Sequence, residues 1–304
     1  MPKLNKELYF FSNQKYICFL TTILCAIQDA KIPKYSSPYS KKRYNQHQLL
    51  ALLLLKEYFK CGYRELIEMI QLMDILQTQL MLKEIPHYST LCKFSDRINS
   101  EILNKLMKSI YRFFPKCPTN KTCIAIDSTG MAITSASYYY SWRTGKKRHD
   151  FLKLSVAVDI GNQAIVSCNV TNSLHHDSTI APSIIRSSHQ RKRANCYLMD
   201  KGYDSEKIHA LIHEEFGAES IIPVRLWGNK IPDGKYRRHM YTDFPKKKYQ
   251  MRDLVETTFS VLKRIIGGKV SSRKARKQRR EVKVKCICYL IHRFTKIQRV
   301  FNFL

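Results

Sequence analysis

Three acidic residues lie where a carboxylate is unfavourable unless it has a partner. Asp127 interrupts the apolar segment CIAIDST, and Asp200 ends the apolar segment NCYLMD. An unpaired carboxylate in an apolar strand is costly to desolvate, so a buried ion pair or a bound cation is expected at each position. Glu256 lies within KKKYQMRDLVETTFSVLKR, a basic segment that a lone glutamate would weaken if the segment only bound anions.

The segment around Glu256 predicts a helix with one polar stripe. At 100° per residue, Tyr249, Arg252, Glu256 and Lys263 share an arc of about 60°, while the apolar residues of 254–266 lie on the other side. An i, i+4 pair between Arg252 and Glu256 is the simplest interpretation, and such a pair contributes only a few tenths of a kcal/mol. That pair does not explain why Tyr249 and Lys263 lie on the same line.

Three carboxylates on two strands and one helix suit hard divalent cations with oxygen ligands. Two such ions about 4 Å apart can activate a water or a 3′-hydroxyl and stabilise the departing oxygen of a phosphodiester. The neighbouring cations would hold the DNA backbone that the carboxylates alone repel. We therefore expect phosphodiester chemistry at Asp127, Asp200 and Glu256.

The composition indicates a polyanionic partner. The chain of 304 residues has 53 Lys and Arg against 24 Asp and Glu, a net charge of +29. Charge of this size destabilises a fold through self-repulsion, so nucleic acid is the leading partner and an anionic membrane surface the weaker one. The longest apolar runs, 17–27 and 49–55, are too short to span a bilayer, and no signal-peptide layout opens the chain. The ten cysteines form no C-x-x-C pair and are typical of reduced, buried thiols in a cytosolic protein.

The periodicity of the sequence changes near residue 115. The pattern of residues 1–115 predicts helices, including one amphipathic helix starting at Ser89 or Thr90. A helix-turn-helix domain that binds DNA is one interpretation of this pattern. A helical bundle without DNA contact explains the same pattern. From residue 120 onward, strands alternate with helices, which predicts an α/β fold with a mixed sheet. The predicted strands are 123–129, 153–159, 163–170, 195–200 and 220–224.

Two further segments are candidates for phosphate contact. Residues 269–285 contain nine Lys or Arg in seventeen positions, and the loop 138–150 mixes aromatic residues with cations. A solvated charged surface is the alternative for both segments, but the sign of the whole chain favours DNA for the first. The side chains expected to contact DNA here are Lys146, Lys147, Arg148, Arg273, Lys274 and Arg276.

The spacing Y-x2-R-x3-E-x6-K at Tyr249, Arg252, Glu256 and Lys263 resembles the signature of bacterial and archaeal insertion-sequence DDE transposases, in the group of insertion-sequence four and five types. The resemblance extends to IDSTG, DKGYDS, VETTFSVLKR and IPHYSTLCKFSDRI, and covers most of the chain. The family has an RNase H-like catalytic domain. Its first Asp lies on the first strand, its second after the fourth strand and its Glu on a later helix. Separations of 73 and 56 residues leave little room for the β insertion that some members carry.

The resemblance implies an RNase H-like catalytic domain at 120–304, with a basic C-terminal helical segment, after a helical DNA-binding domain at 1–115. It implies cutting at transposon ends and joining to target DNA with Mg²⁺, for which Mn²⁺ can substitute. Asp127, Asp200 and Glu256 would be the catalytic residues and metal ligands. Tyr249, Arg252 and Lys263 would contact DNA near the scissile phosphate. A homodimer is expected, because two terminal inverted repeats must be handled together.

Two alternatives remain open from the sequence. One is a stand-alone metal-dependent nuclease of the same fold. The other is a transposase-derived DNA-binding protein that has lost catalysis. The three intact carboxylates argue against this second alternative. In each case a prokaryotic, cytoplasmic protein is expected, associated with the nucleoid when it is bound to DNA.

Overall fold

The chain divides into two compact units that are not contiguous in sequence. The computed structural model describes residues 14–115, 122–134, 143, 145, 151–172, 176–226 and 231–301. One unit contains the chain up to Phe113, Arg264–Gly267 and the segment from Ser272 onward, and the other contains Phe114–Lys263 and Gly268–Ser271. The predicted DNA-binding residues Lys146, Lys147 and Arg148 lie outside the described residues.

The first unit is helical. Its helices are α1 (Lys15–Asp29), α2 (Gln46–Phe59), α3 (Tyr63–Gln71), α4 (Asp74–Gln79), α5 (Tyr88–Arg97), α6 (Ser100–Phe113) and α12 (Ala275–Phe301). The leucine-rich α2 is buried around almost its whole circumference, as expected of a central helix. Asn45 caps it by accepting a hydrogen bond from the backbone N–H of Gln48, whose side chain accepts in return from the Asn45 N–H.

The C-terminal helix α12 packs against α1, α2 and α6. The sequence prediction placed this segment in the catalytic domain at 120–304, whereas the structure groups it with the N-terminal helices. The reason is apolar burial: Val282, Ile287, Leu290 and Ile291 are fully or almost fully buried. The first residues of α12 are mostly basic, whereas the apolar residues further along the helix complete the helical core.

The predicted amphipathic helix from Ser89 is two helices, α5 and α6. Ile98 leaves the helical conformation, with ψ at 134°. The Asn99 side chain then accepts a hydrogen bond of 3.1 Å from the Glu101 backbone N–H. Asparagine competes for backbone hydrogen bonds in this way and favours a new helix start over continuation of the old helix.

The second unit is built on a six-stranded mixed sheet. Its strands are β1 (Cys123–Ile133), β2 (Phe151–Asp159), β3 (Ala164–Thr171), β4 (Cys196–Met199), β5 (Glu219–Ile221) and β6 (Lys269–Val270). The order is β3-β2-β1-β4-β5, and β6 pairs with the end of β1. β1 is antiparallel to β2 and parallel to β4 and β6. The central strand β1 therefore joins the antiparallel and the parallel parts of the sheet.

Helices cover both faces of this sheet. α7 (Asp177–Arg191) packs on β2 and β3, and α8 (Glu206–Ala210) and α9 (Lys235–Thr242) pack on each other. The signature segment consists of α10 (Lys246–Tyr249), a 3₁₀ turn (Gln250–Arg252), α11 (Asp253–Val261) and a π-helical turn (Leu262–Gly267). Its turn 250–252 lies against β1 and β4, and α11 lies against β1. The predicted α/β fold with a mixed sheet after a helical N-terminal region is confirmed, with the RNase H-like order of strands and carboxylates.

Candidate active site

The sheet register brings Asp127 and Asp200 side by side. The parallel pairing of β1 with β4 runs from Cys123–Cys196 to Ile126–Met199. Asp127 and Asp200 are the next residue on each strand, at a strand spacing of about 5 Å. Residues at the same position of neighbouring strands face the same side, so the two carboxylates meet where the pairing ends. The carboxyl ends of parallel strands are where α/β sheets bind ligands.

Arg252 links Glu256 to this pair. Its Nη1 donates to Asp127 Oδ2 at 2.9 Å, and its Nη2 donates to Glu256 Oε1 at 2.9 Å. The Arg252 side chain is 15% exposed, that of Asp127 20% and that of Glu256 61%. One guanidinium therefore bridges a shielded carboxylate on the sheet and an exposed carboxylate on the helix.

Tyr249 and Lys263 flank this bridge. The guanidinium carbon of Arg252 lies 5.8 Å from the centre of the Tyr249 ring, which packs edge-on against Phe244. Lys263 Nζ donates a 2.7 Å hydrogen bond to Thr129 Oγ1, two residues beyond Asp127 on the same face of β1. All four residues of the signature thus face the same strand end, although the segment changes from a 3₁₀ to an α to a π-helical turn.

The ionisable groups at this strand end are partly buried beside other charges, and both effects shift their pKa values. Burial raises the pKa of Asp127, and the neighbouring Asp200 and Glu256 raise it further. The hydrogen bond from the Ser128 N–H and the charge of Arg252 lower it, but they do not cancel the rise. Burial also raises the pKa of Tyr249. Burial opposes the charge of Arg252, but Tyr249 and the three carboxylates raise its pKa above the ordinary value. The guanidinium is a fixed positive charge within the carboxylate cluster.

The donor set suits a hard divalent cation, because carboxylate oxygens are what Mg²⁺ and Mn²⁺ prefer. Within the described residues, no three His, Cys, Asp or Glu side chains come close enough together to hold a metal ion. Arg252 pairs with Asp127 and Glu256 at once. The two carboxylates already share one cationic group, so their chemistry fits a metal that replaces the guanidinium as counter-charge.

The opposite face of β1 carries a polar cluster that sequence reasoning missed. Ser128 Oγ lies within 2.9 Å of oxygen atoms on Ser155, Asp177 and Tyr203. Ser128 belongs to IDSTG and Tyr203 to DKGYDS, so both lie in the motifs of the resemblance. Neither hydroxyl alters the net charge or the hydrophobic periodicity of its segment. Only the closeness of Ser128 to Asp127 and of Tyr203 to Asp200 in the sequence could have indicated these two residues.

Asp204, four residues after Asp200, does not cap the helix that follows it. Ser205 is the residue that precedes α8. The Asp204 carboxylate instead accepts hydrogen bonds from the Arg237 side chain and from the Arg225 backbone N–H. Burial opposes ionisation of Asp204, but these bonds and His209 lower its pKa to about 2. Asp204 has a structural role beside α8.

The other predicted DNA-binding residues, Arg273, Lys274 and Arg276, belong to the helical unit at the start of α12. All three are exposed, and Lys274 pairs loosely with Asp96 at 3.4 Å. Other cations of the basic run have internal partners. Lys285, for example, lies 2.7 Å from the buried Glu57. Only part of this run is therefore available to a polyanion.

A family model and a solved structure of another protein both match this chain. None of the described helices has the length and apolar character needed to cross a membrane. A cryo-EM structure of the piggyBac transposase synaptic complex with hairpin DNA is similar to this chain, with a TM-score of 0.45 and 9% identity over 97% of this chain and 80% of that one. The sequence model of the family described as transposase DDE domain matches residues 118–291, which is more than half of the chain and includes all three carboxylates. The protein belongs to the transposase DDE domain family.

Proposed function

We propose that this protein is an insertion-sequence transposase of the type four and five group. It binds the terminal inverted repeats of its element and catalyses metal-dependent DNA cleavage and strand transfer. The proposal is supported by two observations in a chain with a net charge of +29: Asp127 and Asp200 follow the last paired residues of β1 and β4, and Arg252 bridges Asp127 and Glu256. Family membership supports the reaction class, and the charge supports a polyanionic substrate.

Asp127, Asp200 and Glu256 would hold Mg²⁺, or Mn²⁺ in its place. When bound, such ions activate a water or a 3′-hydroxyl and stabilise the departing oxygen of the phosphodiester. Asp127 and Asp200 directly follow the last paired residues of β1 and β4, while Glu256 is mostly exposed on a helix. Two of the proposed ligands would thus extend from neighbouring strands, and the third can adjust its side chain.

The cations of the signature would position the DNA. The forked guanidinium of Arg252 can donate two parallel hydrogen bonds to phosphate oxygens. Lys263 provides a point charge at Thr129, on the same face as Asp127. Tyr249 would contact the DNA beside them. Together they would offset the repulsion between three carboxylates and a scissile phosphate.

The remaining DNA contacts are proposed for both units. Helices α1 to α6 would bind the inverted repeats, with Arg273, Lys274 and Arg276 contacting phosphates from the start of α12. Lys146, Lys147 and Arg148 would add further phosphate contacts. A homodimer acting on two ends in the bacterial or archaeal cytoplasm completes the proposal.

Conservative amide variants test the catalytic assignment. Asp127→Asn, Asp200→Asn and Glu256→Gln should each lower Mg²⁺-dependent cleavage of element-end DNA by at least about 100-fold, the typical loss when one preorganised electrostatic group is removed. Binding to the same DNA, measured by fluorescence anisotropy, should remain. The exposed Glu215, which pairs with Arg186 at 2.9 Å, supplies the control variant Glu215→Gln. Normal cutting by all three variants would refute the site.

The product of the reaction separates the alternatives. Joining of the cut end to target DNA indicates a transposase, whereas cutting alone indicates a nuclease. Inverted repeats bounded by a short direct duplication around the gene would support the assignment independently.

A further inference from the structure

The backbone pairing between β1 and β4 ends one residue before Asp127 and Asp200. The last backbone pair between β1 and β4 is Ile126–Met199. Beyond that pair, β1 continues through Asp127 into Ser128, while the segment after β4 passes from Asp200 into the 3₁₀ turn Lys201–Tyr203. The relative position of the two carboxylates therefore depends on whatever connects these two continuations.

Ser128 makes that connection. Its side chain lies on the face of β1 opposite Asp127, and its Oγ is 2.9 Å from the Tyr203 hydroxyl. Tyr203 is buried, and its backbone N–H donates to the Asp200 carbonyl at 2.9 Å. On the other side, the Ser128 backbone N–H donates to Asp127 Oδ1 at 2.7 Å. One residue thus orients the first carboxylate and is tied to the turn that follows the second.

The hydrogen bonds of this cluster centre on Ser128 and Asp177. Ser128 donates its single proton to Asp177 Oδ1 at 2.7 Å. The Ser128 oxygen also lies within hydrogen-bond distance of the Tyr203 hydroxyl and of Ser155 Oγ, which is 2.8 Å away. Lys153 Nζ lies 2.9 Å from the same Asp177 oxygen, and Tyr203 also bonds to Asp177. Each hydroxyl in the cluster therefore has a partner within it.

Protonation states agree with this arrangement. Burial opposes ionisation of Asp177, but the hydrogen bonds from Lys153 and Ser128 lower its pKa, so it accepts as a carboxylate. Burial raises the pKa of Tyr203 well above its usual range, so it donates as a phenol.

We propose that Ser128, Tyr203 and Asp177 form a positioning network that orients the Asp127 and Asp200 carboxylates for metal binding, from the opposite face of the sheet. The proposal rests on the function proposed above and adds residues that touch neither the metal nor DNA.

The test compares two Tyr→Phe variants of the full-length protein. Tyr203→Phe removes the bond to Ser128. Tyr197→Phe is the matched control, because Tyr197 is a buried residue of β4 whose hydroxyl bonds to His189 instead, at 3.1 Å. Binding of Mn²⁺ alone, followed by electron paramagnetic resonance, should weaken about fivefold in Tyr203→Phe, the equilibrium worth of one neutral hydrogen bond. It should stay at the wild-type value in Tyr197→Phe.

A double variant shows that one network is responsible. Ser128→Ala removes the bond to Tyr203 together with those to Asp177 and Ser155, so it should weaken Mn²⁺ binding at least as much. Adding Tyr203→Phe to Ser128→Ala should weaken binding no further, because the bond that the two residues share is already absent. Cleavage by Tyr203→Phe should recover at saturating Mn²⁺, since positioning groups do not react. Should Tyr203→Phe fail to fold in a urea titration, Ser128→Ala carries the test alone.

Three results would overturn the proposal: wild-type Mn²⁺ affinity in Tyr203→Phe, multiplicative losses in the double variant, or cleavage that stays low at saturating Mn²⁺. Failure of the proposed function is separate. It would appear as undiminished cutting by Glu256→Gln, whereas failure of the network alone would leave Glu256→Gln inactive and Tyr203→Phe like wild type.

Discussion

Replacing Arg252 by glutamine should tighten metal binding in the absence of DNA. The guanidinium holds Asp127 and Glu256 at 2.9 Å each, so a metal ion must compete with it for both carboxylates. The exposed Glu256 pair contributes only a few tenths of a kcal/mol. The shielded Asp127 pair is a charge-assisted hydrogen bond that contributes about 1.5–3 kcal/mol. Releasing even the lower value corresponds to roughly tenfold tighter binding.

Isothermal titration of Mg²⁺ into DNA-free wild type and Arg252→Gln measures this difference. Arg186→Gln is the matched control, because Arg186 pairs with the exposed Glu215 and the charge change is identical. Its Mg²⁺ affinity should equal that of the wild type. In the proposed DNA complex a phosphate would be an alternative partner of Arg252, so the advantage of Arg252→Gln should shrink while its DNA affinity falls. Equal or weaker Mg²⁺ binding by DNA-free Arg252→Gln would refute the competition.

Three further predictions concern stability. Asp204→Asn should lower the free energy of unfolding at pH 7 by about 2 kcal/mol, since the pKa of Asp204 is lowered to about 2. This contribution is present above the unfolded pKa near 4 and is lost as the pH falls towards 2, so urea titrations of the two proteins should converge at low pH. Glu57→Gln should cost about 3–5 kcal/mol, because it leaves Lys56 and Lys285 buried without their shared anion, and adding Lys285→Met should recover part of the loss in the same titration. Removing Ala275–Phe301 should expose the helical core and abolish cooperative unfolding of the N-terminal helices by circular dichroism; an unchanged transition would contradict the packing of α12.

Several parts of the site were predictable because they depend on local pattern. A carboxylate within an apolar strand or directly after one stands out from its neighbours, which is why Asp127 and Asp200 could be selected. The helical count also predicted the i, i+4 pair of Arg252 with Glu256, because that pair lies within one element.

Other parts depend on contacts that no local pattern encodes. The second bond of Arg252, to Asp127, joins residues 125 positions apart and exists only after the sheet has formed. The same holds for the bond between Ser128 and Tyr203, since neither hydroxyl alters charge or hydropathy. The break at Asn99 was missed because the apolar spacing continues across it while a side-chain cap ends the helix.

The packing of α12 on α1, α2 and α6 has a consequence for the order of synthesis. A ribosome makes the N-terminal helices first, but their last partner is translated about 10–40 s later at ordinary elongation rates. During that interval the α/β unit can begin to fold, while the helical unit still lacks one of its core helices. A nascent chain can therefore begin to form its mixed sheet before it completes the helical core of the unit that precedes that sheet in sequence.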